Sequence, residues 1–372
     1  MFRIGLHVDD QDVLYFIRNK LEIGSVIVRS DRSVAEFMVT NKEGIYKLIS
    51  IFDTYNLNTT KFLDYLDFCE AFYLYHRRDK NLSNEGKDLL IGQVVEIKNR
   101  MNSQRTCFDM SQTNITKSWL LGFIEAEGSF FISRTDIEPS FSIELSNIQT
   151  YLLEKIRDFL IHNLGFDKYS VYRLNSPSFN VISVTEQKGK ASVILIIKNI
   201  SVLNNYLVPY FKTMVFKSKK GLDFQDFLLI CGAVYKGSHR REGIRALILR
   251  LSYTMNSYRL SSNKDEGLKE SLTLNEKFTM QNALPTIEHL KDGRLRELDT
   301  GKVVIHRSLC VYEVVRPDGE VLIFDSLSDT LKILGVSFRT LKRHIDEDSL
   351  ENWNEFRGNK IRRVPVFLPE GA

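Results

Sequence analysis

Three segments of this chain recur in the same order. Phe2-Arg3-Ile4-Gly5-Leu6 is matched by Phe141-Ser142-Ile143-Glu144-Leu145. Lys61-Phe62-Leu63-Asp64-Tyr65-Leu66-Asp67-Phe68 is matched by Lys220-Gly221-Leu222-Asp223-Phe224-Gln225-Asp226-Phe227. Met101-Asn102-Ser103-Gln104-Arg105 is matched by Met255-Asn256-Ser257-Tyr258-Arg259. The pairs lie 139, 159 and 154 residues apart, as duplicated units with unequal loops should. An internal repeat restricts the fold more than any bulk property does, because both copies must solve the same packing problem.

Each copy opens on an alternating strand and continues into an amphipathic helix, with Leu14, Ile17 and Leu21 in one and Leu152, Leu153, Ile156 and Leu160 in the other. Short β-branched segments follow, Val26-Ile27-Val28 and Phe37-Met38-Val39, then Val171-Tyr172 and 181–184. Two helices carrying the Lys and Met-Asn motifs close each copy. This pattern predicts an α/β (α+β) fold of pseudo-twofold tandem repeats. Its saddle-shaped antiparallel sheets would pack on helices by one face and meet a ligand by the other.

With 372 residues there is room for two to three domains. Hydrophobic residues at 43% and charged residues at 26% exclude a collagen, a disordered acidic chain and a small disulfide scaffold. The four cysteines form no C-x-x-C pair, so buried free thiols are expected rather than a zinc ribbon. No apolar run reaches membrane-spanning length, and Met1-Phe2-Arg3-Ile4 is neither a secretory signal nor a transit peptide. A net charge of +4 says little until the cations are placed. Arg29, Arg32, Arg134, Arg173, Lys188 and Lys190 fall on or beside strands, where they suit either nucleic acid or a solvated sheet edge.

The segment with the most chemistry is Trp-Leu-Leu-Gly-Phe-Ile-Glu-Ala-Glu-Gly over 119–128. Leu120, Leu121 and Ile124 make a short apolar helix, Gly122 and Ala126 let another backbone approach, and Gly128 is expected to stop the helix in a left-handed conformation. Glu125 and Glu127 sit at the C-terminal end, against the macrodipole, a cost that a cation would offset. A carboxylate beside free carbonyls is a hard-oxygen site of the kind Mg²⁺ takes. The bland alternative is an acid that merely ends a helix.

Residues 120–128 resemble the nine-residue signature of the LAGLIDADG homing endonucleases, and the repeated Lys and Met-Asn segments resemble the rest of that family's domain over about 1–260. The resemblance implies a monomeric pair of repeats, packed through motif helices, that grips a long double-stranded DNA site. It implies an intron-encoded enzyme that hydrolyses one phosphodiester per strand with Mg²⁺ or another divalent cation. Glu127 would be the catalytic acid and metal ligand, Lys61 and Lys220 the lysines near the cleavage centre, and Glu125 a structural residue. Plain phosphate binding or surface solubility is the other role for the two lysines.

The first copy's motif helix and first strand would fall before residue 1, so one motif acid is expected within the sequence. With Glu127 alone, weak cleavage, nicking or binding without cleavage is expected. The alternatives to an endonuclease are a maturase that binds its own intron RNA and a DNA-binding regulator. Mitochondrial coding is expected, with a plastid second.

The domain boundaries expected are 1–110, 111–260, a polar linker or extended arm with short helices over 261–309, and a compact module over 310–372. In the module, Asp318-Gly319 between Val311–Val315 and 321–324 signals a hairpin. Ser326 then caps one helix, Gly335 ends it, and Ser337 starts a second carrying Arg339, Lys342 and Arg343. This reads as a helix-turn-helix and resembles the nuclease-associated modular domains of intron-encoded endonucleases, or else is a small interaction domain. The basic tail residues Lys360, Arg362 and Arg363 are expected near phosphate.

Overall fold

A computed structural model describes residues 1–76, 82–101, 113–177, 181–263, 270–343 and 352–369, without the side chain of Lys342. Residues 102–105 of the first Met-Asn motif lie outside them. Two compact units divide the chain: Met1–Phe123 with Glu144–Ile156 and Val184–Ile194, and Ile124–Ile143 with Arg157–Ser183 and Leu195–Ala372.

The first copy contains β1 (Phe2–His7), α1 (Gln11–Leu21), β2 (Ser25–Arg29), β3 (Val34–Val39), α2 (Lys42–Thr54), α3 (Lys61–His76) and α4 (Asn84–Arg100). Its sheet is ordered β1-β3-β2, antiparallel, with Phe2 opposite Val39. Strand β3 alternates strictly, so Ala35, Phe37 and Val39 are fully buried. They pack on Leu14 of α1, Ile45, Leu48 and Ile49 of α2, and Tyr65 and Phe72 of α3. Gly24 turns the chain into β2 at φ +74, where a Cβ would come 2.6 Å from the Met38 carbonyl.

The second copy begins with α5 (Lys117–Glu127), β4 (Gly128–Ser133) and β5 (Glu138–Ser146), then α6 (Thr150–Asn163), α7 (Lys168–Asn175), β6 (Ile182–Glu186) and β7 (Ser192–Ile197). Its sheet is ordered β4-β5-β7-β6. The order β1-β3-β2 therefore recurs as β5-β7-β6, with β4 added at the edge beside β5. Short helical turns over Ile200–Lys212 lead to α8 (Lys220–Tyr235) and α9 (Glu242–Ser252). The mixed α/β architecture with antiparallel pairing and packed helices is the one expected. No described helix is long and apolar enough to cross a membrane.

One expectation fails. Val171-Tyr172 is helical, inside α7. The carboxylate of Asp167 accepts from the backbone amides of Tyr169 and Ser170 at 2.8 and 3.0 Å, and this N-cap overrides the β-branched signal. The stretch read as a linker or extended arm with short helices contains α10 (Leu274–Gln281), opened by a Thr273/Glu276 capping box, and also a sheet of β8 (Ile287–His289), β9 (Arg294–Glu297) and β10 (Val303–Ile305) that the sequence did not announce. Strands of three or four residues leave almost no periodicity to read.

The C-terminal module is a four-stranded sheet, β12-β11-β14-β13, of β11 (Cys310–Val315), β12 (Val321–Phe324), β13 (Asn354–Phe356) and β14 (Asn359–Pro365). Helices α11 (Leu327–Leu334) and α12 (Phe338–Lys342) accompany it. Gly319 has φ +87 in the hairpin, Gly335 has φ +63 between the helices, and Ser326 and Ser337 cap as expected.

Candidate functional site

Helix α5 buries Leu120 and Ile124 completely and leaves Leu121 half-buried. Gly122 and Ala126 are exposed, and a Cβ on Gly122 would meet open space. The helix runs straight into β4. Gly128 is not left-handed; it is buried, and a Cβ there would lie 2.7 Å from the Ile124 carbonyl. A close approach, rather than a reversed φ, requires this glycine.

The two motif acids have separate fates. Glu125 accepts hydrogen bonds from the backbone amides of Lys217 and Ser218 at 2.6 and 2.8 Å. Those donors offset its position against the helix dipole. Ser218 in turn accepts from the amide of Lys220 through Oγ at 3.2 Å, so Glu125 pins the entry to α8. Glu127 is exposed, and no described residue bonds its carboxylate.

Lys61 and Lys220 both open a helix, α3 and α8, and both are followed three residues on by an aspartate. Lys61 Nζ lies 3.1 Å from Asp64 and is largely exposed. Lys220 is half-buried and bears electrostatically on Asp223. Burial pushes the Asp223 carboxyl up, against the opposing pull of Arg259, the Asn256 amide and Lys220.

The repeated motifs form a clasp. Arg259 donates from Nε to Asp223 at 2.7 Å and from Nη2 to Asp226 at 2.5 Å, and Lys277 reaches Asp226 at 3.0 Å. Asn256, at φ +54, donates its backbone amide to Asp223 at 3.1 Å. Its side-chain amide donates to the Phe130 carbonyl of β4 at 2.8 Å. The recurring Asp and Asn residues therefore hold the strand that follows the motif helix. In the first copy Asp67 faces Arg100 at 3.4 Å.

The expected nucleic-acid residues divide in the same way. Arg29 and Arg32 are exposed at the end of β2 and just after it, and Arg29 shares Glu36 with Arg3. Lys188 and Lys190 are exposed in the turn between β6 and β7. Arg339 and Arg343 are exposed at α12; the Lys342 side chain lies outside the described residues. Arg134 is not on a strand. Half-buried in the turn after β4, it stacks on Tyr253 and Tyr258 and bonds Ser252 Oγ at 2.9 Å.

Arg173 contradicts its expected role outright. It is fully buried, pairs with Asp325 at 2.8 Å and donates to the Arg307 carbonyl, so it cannot face nucleic acid. Around it Tyr169 donates to Glu313 at 2.8 Å, Arg362 pairs with Glu313 at 2.6 Å, and Arg363 pairs with Asp292. Arg363 is thus internal, and Arg362, a third exposed, is committed to Glu313.

Sequence reasoning also missed a cavity of about 500 Å³ lined by His239, His289 and His306 with Asp136 and Glu138. Burial is the first cause lowering all three histidines below their ordinary value. Histidines scattered over 239–306 carry no spacing signal. No group of three or more metal-binding side chains exists among the described residues, this cavity included.

A family model described as LAGLIDADG endonuclease matches residues 1–72 and 120–231, which fall in both copies and take in the motif 120–128. The chain belongs to the LAGLIDADG endonuclease family. It is 31% identical over 164 residues to the probable intron-encoded endonuclease Cox1-I1b of Schizosaccharomyces pombe, covering 44% of this chain and 42% of that one. It is 25% identical over 276 residues to probable intron-encoded endonuclease 3 of Neurospora crassa, covering 67% and 47%. The chain thus spans under half the length of these two relatives.

Among solved LAGLIDADG structures, I-GzeII in complex with its DNA target superposes with a TM-score of 0.57 at 25% identity, covering 69% of this chain and 88% of that chain. I-SmaMI bound to cleaved DNA superposes with a TM-score of 0.54 at 19% identity, covering 70% and 87%, and supports the fold alone. Relatives named as endonucleases do not favour the maturase alternative.

Proposed function

We propose that this LAGLIDADG chain is an intron-encoded homing endonuclease that binds a long double-stranded DNA site and hydrolyses its backbone. The observation that carries the reading is the division of labour on α5. Glu125 is consumed by two backbone amides, while Glu127, the last acid of the motif, is exposed and uncommitted.

An exposed carboxylate at a helix C-terminus, where free carbonyls gather, fits a divalent cation such as Mg²⁺. Glu127 would hold it as an anionic ligand; no group of three or more metal-binding side chains exists among the described residues. Such an ion supplies Lewis acidity and an activated water. The chain's own contribution is positional. Glu125 anchors the entry to α8 and so Lys220, whose ammonium stabilises negative charge building on the phosphate. Lys61 has the same place in the first copy.

Arg29, Arg32, Lys188, Lys190, Arg339 and Arg343 remain as phosphate contacts, because all are exposed. We assign action as a monomer and a mitochondrial gene on the same footing; one relative is a mitochondrial protein of Saccharomyces cerevisiae.

The test uses purified chain on intronless host-gene DNA with Mg²⁺ or Ca²⁺, beside Glu127→Gln. Cleavage in Mg²⁺ that vanishes in Glu127→Gln, with DNA binding kept, is the expected result. Equal cleavage by the variant refutes the assignment of Glu127. Binding without cleavage by the parent chain refutes the enzyme.

A further inference from the structure

A lysine and an aspartate three residues on open both α3 and α8, but the two pairs differ. In α3 the pair is closed, with Lys61 Nζ 3.1 Å from Asp64. In α8 it is open. No described residue bonds the Lys220 ammonium, although Lys220 bears electrostatically on Asp223. Asp223 is engaged elsewhere: its Oδ1 accepts from Arg259 Nε at 2.7 Å and from the Asn256 amide at 3.1 Å. Its Oδ2 takes no hydrogen bond from a described residue.

The carboxylates of Asp223 and Asp226 are both buried, and carboxylates so placed need counter-charges. Arg259 bridges the two, reaching Asp226 from Nη2 at 2.5 Å. Lys277 completes the set, 3.0 Å from the other Asp226 oxygen. Two acids and two cations thus cancel without Lys220. Lys277 belongs to α10, past residue 231 where the family match ends. The charge that closes the cluster therefore comes from the chain's own extension.

We propose that Lys277 is a positioning residue for the cleavage reaction: by keeping this cluster neutral it stops Asp223 from capturing Lys220, whose ammonium stays free for the phosphate. The inference rests on the reading of Lys220 given above. Without Lys277, Asp226 takes a larger share of Arg259, and Asp223 is left undercompensated in a poorly solvated site. Its Oδ2 then draws the Lys220 ammonium into the closed geometry that Lys61 and Asp64 already adopt. A lysine held this way has spent its charge on the protein and stabilises the phosphate less.

The test labels the full chain, without DNA, briefly with acetic anhydride and reads each lysine by mass spectrometry, with Lys61 as internal reference. The Lys277 side chain is 35% exposed, so Lys277→Met opens no cavity. In that variant Lys220 should acetylate at least about threefold more slowly, because an ion-paired ammonium gives up its proton less readily, while Lys61 is unchanged. Lys277→Arg should match the parent, and Lys277→Met/Asp226→Asn, neutral again, should return to it. On DNA, the single-turnover cleavage rate of Lys277→Met should fall at least about tenfold, more than its DNA affinity does. Equal Lys220 labelling in parent and Lys277→Met overturns the proposal. So does slowing that Asp226→Asn does not reverse, or slowed labelling with an unchanged cleavage rate. A parent chain that fails to cleave refutes the enzyme reading instead, and the labelling still decides whether Lys277 governs Lys220.

Discussion

Arg173→Met separates two roles for one arginine. Arg173 is fully buried and its partner Asp325 has a side chain only 12% exposed. Removing the guanidinium leaves that carboxylate without its counter-charge, at a cost of about 3–5 kcal/mol for a broken buried pair. With a urea m-value of about 3 kcal/mol/M, the midpoint of the transition that unfolds this unit should fall by about 1–2 M. The double variant Arg173→Met/Asp325→Leu should recover most of the loss, because a well-packed apolar pair replaces the ions. Urea unfolding followed by circular dichroism reads the stability. Filter binding over a salt series reads the DNA contact, for which each lost phosphate contact lowers the slope by about one. Arg29→Ala is the contrast: an exposed side chain, little change in stability and a reduced slope. If Arg173→Met leaves the urea midpoint in place and lowers the salt slope by about one, the buried-latch reasoning is wrong.

Asn256→Ala removes the bond to the Phe130 carbonyl from a residue held at positive φ, and should cost about 1–3 kcal/mol in urea unfolding. An unchanged midpoint would dismiss the clasp. Glu125→Ala should lower the melting temperature, since two backbone amides lose their acceptor, whereas Glu127→Gln should not; equal melting of both variants contradicts the division of the motif acids. For the histidine cavity the sign follows from the depressed values of His239, His289 and His306. The unfolded chain takes up protons near pH 6.5, before the folded one does, so stability is held above that value and lost as the pH falls through the folded values. The melting temperature should drop between pH 7 and 5, less steeply in His239→Gln; parallel profiles would rule His239 out as a contributor.

Much of this was legible before any coordinates. The order of recurring segments foretold two copies of one strand-and-helix unit, and Phe37-Met38-Val39 was readable as a strand. The motif helix and its two acids were readable because small residues, apolar residues and carboxylates sit at fixed spacing. What the sequence hid was partnership. Arg173 looks like any basic residue next to a strand-favouring pair; only its distant partner Asp325 makes it internal, and no local pattern links 173 to 325. The roles of Asp223 and Asp226 were hidden for the same reason. The helix over Leu274–Gln281 was findable, because Thr273 and Glu276 spell a capping box, but the three short strands after it were not.

The Tyr169–Glu313–Arg362 contact and the bond from the Phe367 amide to Ser170 join the terminal sheet to α7 by side chains rather than by a tether. Under the DNA-binding function proposed above, this would turn the α11–α12 helix pair into a ruler. Its offset from α7 is built in, so a DNA target touched by both would have to present the two segments at one spacing. Each base pair inserted between them shifts one segment by about 3.4 Å and rotates it by about 35° around the duplex. A tethered module would tolerate such insertions. This one would lose its contacts with the first inserted base pair and regain rotational phase only after a full helical turn, by then displaced too far along the axis to reach.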